Sequence, residues 1–371
     1  MKYKLIFAAV SAAVILFLPM LALFFPIPYS SSHSESSLPL LNETFPEYFV
    51  SSPDTGVPNN AEDLIDDNGK ENIYAAVESI DLPASQFEDT FRILDTASGK
   101  VVTVNTLEYI RGAIAAEMPF TFHSQALIAQ GIAAYTNAVR SRMEQQQNPD
   151  PLLKGADLSA DPDALQSWTN EERIKEWYGI YADTAWKKIC EAADTAAEYL
   201  LIYEGAPIMA AYCSMSCGNT ESAENVWGGS LPYLTAVESS GDLLAPNSTS
   251  VVTLSPEVLV QKLNAAGYSL NGSLPCSEWF GKTERSESGY VLKQQVGEYE
   301  ISGRELRTLF SLRSSCFDVS FDGSAFHFTV SGYGHGVGLS QYGADYMARQ
   351  GSDFIAILQH YYPGVLIAQV K

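Results

Sequence analysis

Positive charge is scarce in this chain. Its 371 residues carry 22 Lys and Arg against 44 Asp and Glu, a net charge of −22. No broad basic surface is available to neutralise phosphates, so nucleic acid is not expected as a partner. Cysteine is sparse too: five are too few for a disulfide scaffold in so long a chain and too scattered for a structural zinc framework. No repeat with a period of 20–50 residues is visible, which leaves solenoids and propellers without support. What is present is apolar content, 46% of the chain. That suffices for one large domain or two ordinary ones and excludes disorder throughout.

From Leu5 to Phe25 run 21 residues without a formal charge, preceded by Lys2 and Lys4. A helix of that length spans a hydrocarbon core of about 30 Å. The exit, Phe24-Phe25-Pro26-Ile27-Pro28, is bulky and proline-broken, unlike the small-x-small exit of a cleaved signal peptide. Residues 1–26 are therefore expected to be an uncleaved anchor with its basic end inside, and the chain a single-pass protein of the cell membrane with its remainder outside. Residues 31–90 hold thirteen acidic residues and one basic residue, Lys70. With their Ser, Pro and Asn, residues 27–87 read as an acidic, mostly extended linker, with weak helix allowed near 61–79.

Residues 88–371 read as one α+β domain of helices packed on short strands. Phe91–Leu94 and Val101–Val104 predict a strand pair. Thr106 supplies a helix N-cap, and the helix from Leu107 to Ala116 stops because Pro119 disfavours helical geometry in the residue before it. A second helix is predicted from Ser124 to Met143, with small residues at Ala126, Ala129, Ala133 and Ala134. Glu117 lies at the stop, among Ile114, Met118 and Phe120. A carboxylate held there loses water, its pKa rises, and it becomes able to donate a proton near neutral pH; an exposed helix-end glutamate is the other reading. Glu108, nine residues away at 100° each, falls on the opposite helix face and cannot be its partner.

Three stretches then resemble one family. Leu107-Glu-Tyr-Ile-Arg-Gly-Ala-Ile-Ala-Ala-Glu-Met-Pro119 with His123-Ser-Gln-Ala-Leu-Ile-Ala-Gln130, Asn219-Thr-Glu-Ser-Ala-Glu-Asn-Val-Trp-Gly-Gly229, and Gly334-His-Gly-Val-Gly-Leu-Ser-Gln-Tyr-Gly-Ala344 are similar, in order, to signatures of the stage II sporulation protein D family of membrane-anchored lytic transglycosylases. The resemblance runs from about Phe91 to Leu366. It implies cleavage of peptide-stripped peptidoglycan glycan strands during spore engulfment, a carbon–oxygen lyase reaction with Glu117 as the catalytic acid. A hydrolase normally needs two carboxylates, whereas such an enzyme can use one. The implied substrate contacts are Gln130, Tyr135, Tyr212, Ser214, Ser216, Glu221, Trp227, His335, Ser340, Gln341 and Tyr342, with segments 212–229 and 332–345 closing the cleft. A cell-wall amidase and other engulfment proteins are the implied partners, and no cofactor is called for. A second class of function is a non-catalytic glycan-binding module that recruits or stimulates an amidase, as amidase-enhancer relatives do.

The chain departs from the family pattern in places. Tyr135 stands where the family has Arg, and Tyr212-Cys213-Ser-Met-Ser-Cys217-Gly218 places Cys213 for a His and Cys217 for a Gly. Two thiolates leave a zinc ion half coordinated, and Ser159, Ala164 and Leu165 occupy positions where some relatives carry further ligands, so no required metal is expected. Disulfides Cys213–Cys217 or Cys276–Cys316 and free thiols all remain open. A papain-like pairing of Cys217 with His335 lacks the usual surroundings of such a nucleophile. The glycine run Gly332–Gly338 does not match G-x-G-x-x-G and is better suited to close backbone approach.

Overall fold

A computed structural model describes residues 78–79, 89–96, 98–160, 167–270 and 274–370. The segments expected to be an anchor (residues 1–26) and an acidic linker (residues 27–87) lie outside the described residues, except for Glu78–Ser79 (β1), which pairs with the C-terminal strand. Among the described residues no helix is long and apolar enough to cross a membrane.

The described chain is α+β. It opens with an antiparallel pair, β2 (Thr90–Asp95) and β3 (Lys100–Asn105), in register Phe91 to Val104. Helix α1 (Thr106–Glu117) follows at once, and here the expected cap moves by one residue: Asn105, not Thr106, is the N-cap. Asn105 Oδ1 accepts from Glu108 N at 2.8 Å while Glu108 returns its carboxylate to Asn105 N at 2.9 Å, a reciprocal capping box. The box satisfies two donors where a Thr106 cap would satisfy one. The far end stops as Pro119 requires, with Met118 extended at φ −128° and ψ 138°.

Helix α2 (Ser124–Gln147) is the axis of the main core, with fifteen of its 24 residues buried. Its small residues admit close neighbours on all sides. Around it pack α1, α4 (Ala182–Ala196, after α3 at Glu171–Tyr178) and a sheet with strand order β1, β15 (Leu366–Gln369), β5 (Tyr199–Tyr203), β6 (Ala206–Pro207). A two-residue parallel pair, β7 (Tyr212–Cys213) with β14 (Leu339–Ser340), joins the middle of the chain to the start of α8 (Gln341–Arg349); α5 (Ala223–Trp227) lies between them in sequence and α9 (Phe354–Tyr361) follows. Near the hairpin β4 (Leu158–Ser159) adds a third strand, and buried Arg142 lies over the Phe91 ring, 3.8 Å from its centre, and 3.7 Å from Asp157.

Residues 249–330 build a second apolar core. Strands β8 (Thr249–Leu254), β12 (Phe317–Phe321) and β13 (Phe326–Ser331) form one sheet, and β9 (Phe280–Arg285), β10 (Val291–Val296) and β11 (Tyr299–Ser302) another. Helices α6 (Pro256–Ala265) and α7 (Gly303–Phe310) contribute Leu259, Leu263, Leu306 and Phe310, and Trp279 stacks on Phe326 at 5.5 Å.

Gly112, midway along α1, lets residues 168–169 lie flat on the helix. Thr169 N donates to Gly112 O at 3.3 Å, and a Cβ on Gly112 would stand 2.1 Å from Thr169 O. Backbone cannot yield as a side-chain tip can. Gly112→Ala should therefore destabilise the fold by roughly 1–3 kcal/mol, the usual cost of overpacking, read as a lower urea midpoint at unchanged slope.

Candidate functional site

Glu117 is the last residue of α1, where the helix's partial negative charge already disfavours an anion. Its Oε1 accepts from Ser167 N at 2.8 Å, and its Oε2 from Gln341 Nε2 at 3.3 Å. That same Gln341 nitrogen lies 3.4 Å from Gln130 Oε1 on α2. Tyr212 turns its phenol toward the carboxylate from β7; its hydroxyl is sealed from solvent without a hydrogen bond of ordinary geometry. Gln130 Nε2 is buried and equally unpartnered. Loss of water pushes the Glu117 pKa up, and the donors at Ser167, Gln341 and Tyr212 pull it partway back. Glu108 is occupied at the other end of the helix by its capping box.

A second group gathers behind the glycine run. Val337 N donates to His335 Nδ1 at 3.0 Å, which leaves the hydrogen of the neutral ring on Nε2. Burial, then the Arg307 guanidinium, hold the His335 pKa down to about 4, with the Tyr212 main chain acting in the opposite sense. The Trp227 ring sits 5.2 Å from the imidazole. Glu221 is buried, with Oε1 accepting from Ser222 N at 2.7 Å and Asn225 Nδ2 at 2.9 Å, while Oε2 has no partner. Tyr212 connects the groups, its side chain facing Glu117 and its main chain facing His335.

The other residues expected at the site are placed differently. Ser216 and Ser340 are buried and both turn their hydroxyls onto Asp242, at 2.6 Å each, so their role here is internal. Ser214 offers its carbonyl to Tyr342 N at 3.1 Å, and the Tyr342 ring packs edge-on to Phe122. Tyr135 is buried edge-on to Phe91, in the field of Arg142, and its phenol is pushed up to about 12 by burial. It belongs to the core beneath the hairpin. All five cysteines are free. Cys213 is buried, its thiol pushed up by loss of water, and Cys217 meets Cys316 and Tyr290 rather than His335. Among the described residues no three His, Cys, Asp or Glu are grouped to hold a metal ion.

Asp242, which no local pattern marks, is the hidden member of the site. It accepts from Ser216 N at 2.7 Å as well as from both hydroxyls, across 26 and 98 residues of sequence. Burial raises its pKa while the Ser216 and Ser340 donors oppose the rise.

Residues 95–203 match the stage II sporulation protein family model. Stage II sporulation protein D of Bacillus subtilis is 33% identical over 77% of this chain and 83% of its own length. The chain belongs to the stage II sporulation protein D family. Its counterpart in Bacillus amyloliquefaciens is 35% identical over 74% of this chain and 77% of that one. An amidase enhancer of B. subtilis is 27% identical over 70% of this chain and 40% of its own length. Family membership and the mixed α+β architecture thus agree with the reading of the three motifs.

Two outcomes are expected. Asp242→Ala removes the shared acceptor of three buried donors and should cost roughly 3–5 kcal/mol, read by urea denaturation, because truncating a buried carboxyl acceptor strands its partners. His335 has a folded pKa near 4 against about 6.5 when unfolded, so the unfolded chain binds the extra proton between them. Its contribution is full above pH 6.5 and is lost as pH falls through 4. Scanning calorimetry should show His335→Asn losing less thermal stability than wild type across that window.

Proposed function

We propose that this chain is a peptidoglycan lytic transglycosylase acting on peptide-stripped glycan strands in sporulation, held at the outer face of the cell membrane by residues 5–25. The observation that carries the reading is a desolvated Glu117 whose neighbours are an amide N–H, a side-chain amide and a phenol. Each neighbour is neutral, so the carboxyl is free to exist in either protonation state. In the acid form Glu117 protonates the glycosidic oxygen as the bond breaks. As the resulting carboxylate it takes the proton of the muramyl 6-hydroxyl, whose oxygen closes an anhydro ring on the anomeric carbon without water. The raised pKa favours the first half and the Gln341 donor steadies the anion between halves. Gln130 Nε2, a buried donor without a partner, suits a polar ligand such as a sugar.

Likeness to an amidase enhancer supports a second reading, a glycan-binding protein that stimulates a cell-wall amidase without cutting. Glu117→Gln separates the two. Gln keeps the shape and can neither donate nor accept the proton. General acid–base help is worth roughly 10²–10⁴-fold in rate, and one residue supplies both steps, so the loss should reach the upper end or beyond. On denuded glycan, mass spectrometry should find anhydromuramyl-ended products with wild type and none with the variant. The wild-type rate should fall as pH rises through the raised Glu117 pKa, since the first step needs the acid form. Equal release by both proteins removes Glu117 from the chemistry; no release by either, with undiminished amidase stimulation, establishes the enhancer.

A further inference from the structure

The thiols of Cys217 and Cys316 lie on adjacent carbonyls of one turn. Residues 286–290 close the β9–β10 hairpin, with Ser286 N donating to Tyr290 O at 2.9 Å and Gly289 N to Ser286 O at 3.0 Å. Cys217 Sγ stands 3.3 Å from Ser288 O, and Cys316 Sγ stands 3.6 Å from Gly289 O. Gly289, at φ +91°, leaves open the side of the turn where Cys316 lies. The Cys316 thiol and the buried Tyr290 phenol both face the Cys217 sulfur. Both cysteines are half-buried, so a reagent can reach them, whereas Cys213 is enclosed.

We propose that Cys217 and Cys316 are a disulfide-forming pair that ties the loop leading into Glu221 to the second apolar core. The inference does not depend on the glycan reading. Cys217 starts the reaction, because the donors from Cys316 and Tyr290 lower its pKa while Cys316 is held in its thiol form. The Cys217 thiolate attacks an external disulfide, forming a mixed disulfide and expelling one thiolate. Cys316 then loses its proton and its sulfur attacks Cys217 Sγ, forming the internal bond and expelling the second thiolate. In sum two thiols surrender two protons and two electrons to a disulfide oxidant, a small-molecule disulfide or an exported thiol–disulfide oxidoreductase, which becomes a dithiol pair. The bond closes a loop that takes in β8 to β11, α6 and α7 of the second core, while β12 and β13 follow Cys316 in sequence. Long loops are those in which a cross-link most restrains the unfolded chain.

The experiment treats the purified full chain with oxidised glutathione, blocks remaining thiols by alkylation without denaturant, and maps peptides without reduction. The expected result is a joined Cys217–Cys316 peptide, an intact mass lower by two hydrogens than the reduced protein, and a thermal midpoint raised by several degrees that reductant restores. Cys217→Ser and Cys316→Ser should abolish the joined peptide, and Cys213→Ser and Cys276→Ser should retain it. Thermal melts of the reduced variants confirm that each is folded. Cys217 joined to Cys213, Cys217 left as a stable glutathione adduct beside a free Cys316, or both thiols alkylated after oxidation would overturn the proposal.

Discussion

A single carboxylate, Asp242, ties the site together. One oxygen takes the Ser216 hydroxyl and amide, fixing the loop after β7; the other takes the Ser340 hydroxyl at 2.6 Å. Ser340 is also the N-cap of α8, accepting from Gly343 N at 3.2 Å. The next residue is Gln341, whose amide reaches Glu117 and Gln130. The line from Asp242 through Ser340 and Gln341 to Glu117 therefore passes through a helix start, and a helix start is rigid where a loop is not. Tyr212, paired with Leu339 across β7 and β14, arrives from the same junction.

The two raised carboxyls among the described residues show how one shift serves opposite ends. Asp242 and Glu117 are both pushed up by burial. Asp242 is offset by three donors fixed to backbone or short hydroxyl side chains, so its geometry has nowhere to go. Glu117 has one fixed donor, Ser167 N, and one on the longer Gln341 side chain at 3.3 Å. A carboxyl that must gain and lose a proton during a reaction needs a partner that tolerates both states, and a neutral amide does so where a cation would lock the anion.

Local signals were legible and distant ones were not. The hairpin and the helix stop at Pro119 follow from residues within a few positions of one another, and the structure has them; the neighbours that close on Glu117, Ser167 and Gln341, lie 50 and 224 residues away. The one-residue shift of the cap came from weighing Thr106 by itself when Asn105-x-x-Glu108 forms the reciprocal pair. Ser216 and Ser340 are expected at the substrate from the family resemblance; nothing nearby announces that an aspartate 26 and 98 residues away takes them. The cysteine pairs considered from spacing followed nearness in sequence, whereas Cys217 and Cys316 meet through the hairpin turn at Ser288 and Gly289. Gly112 gave no signal either, since its partner, Thr169 O, is a backbone atom with no residue-type signature.

The glycine run owes its composition to packing between these parts. A Cβ on Gly336 would lie 2.2 Å from Tyr290 Oη, and one on Gly338 would lie 2.0 Å from Ala211 O. The first contact is with the hairpin of residues 249–330 and the second with the chain entering β7, so at these two positions the neighbours leave no room for a side chain. Between the glycines Tyr333 is exposed, Val337 is buried, and His335 lies beside Trp227 with its ring hydrogen-bonded by Val337 N. Tyr290, from residues 249–330 and remote in sequence from Glu117, thus packs on the residue next to His335, whose ring faces the Tyr212 main chain. A covalent tie at Cys217 and Cys316 would act on the same boundary, just behind the run.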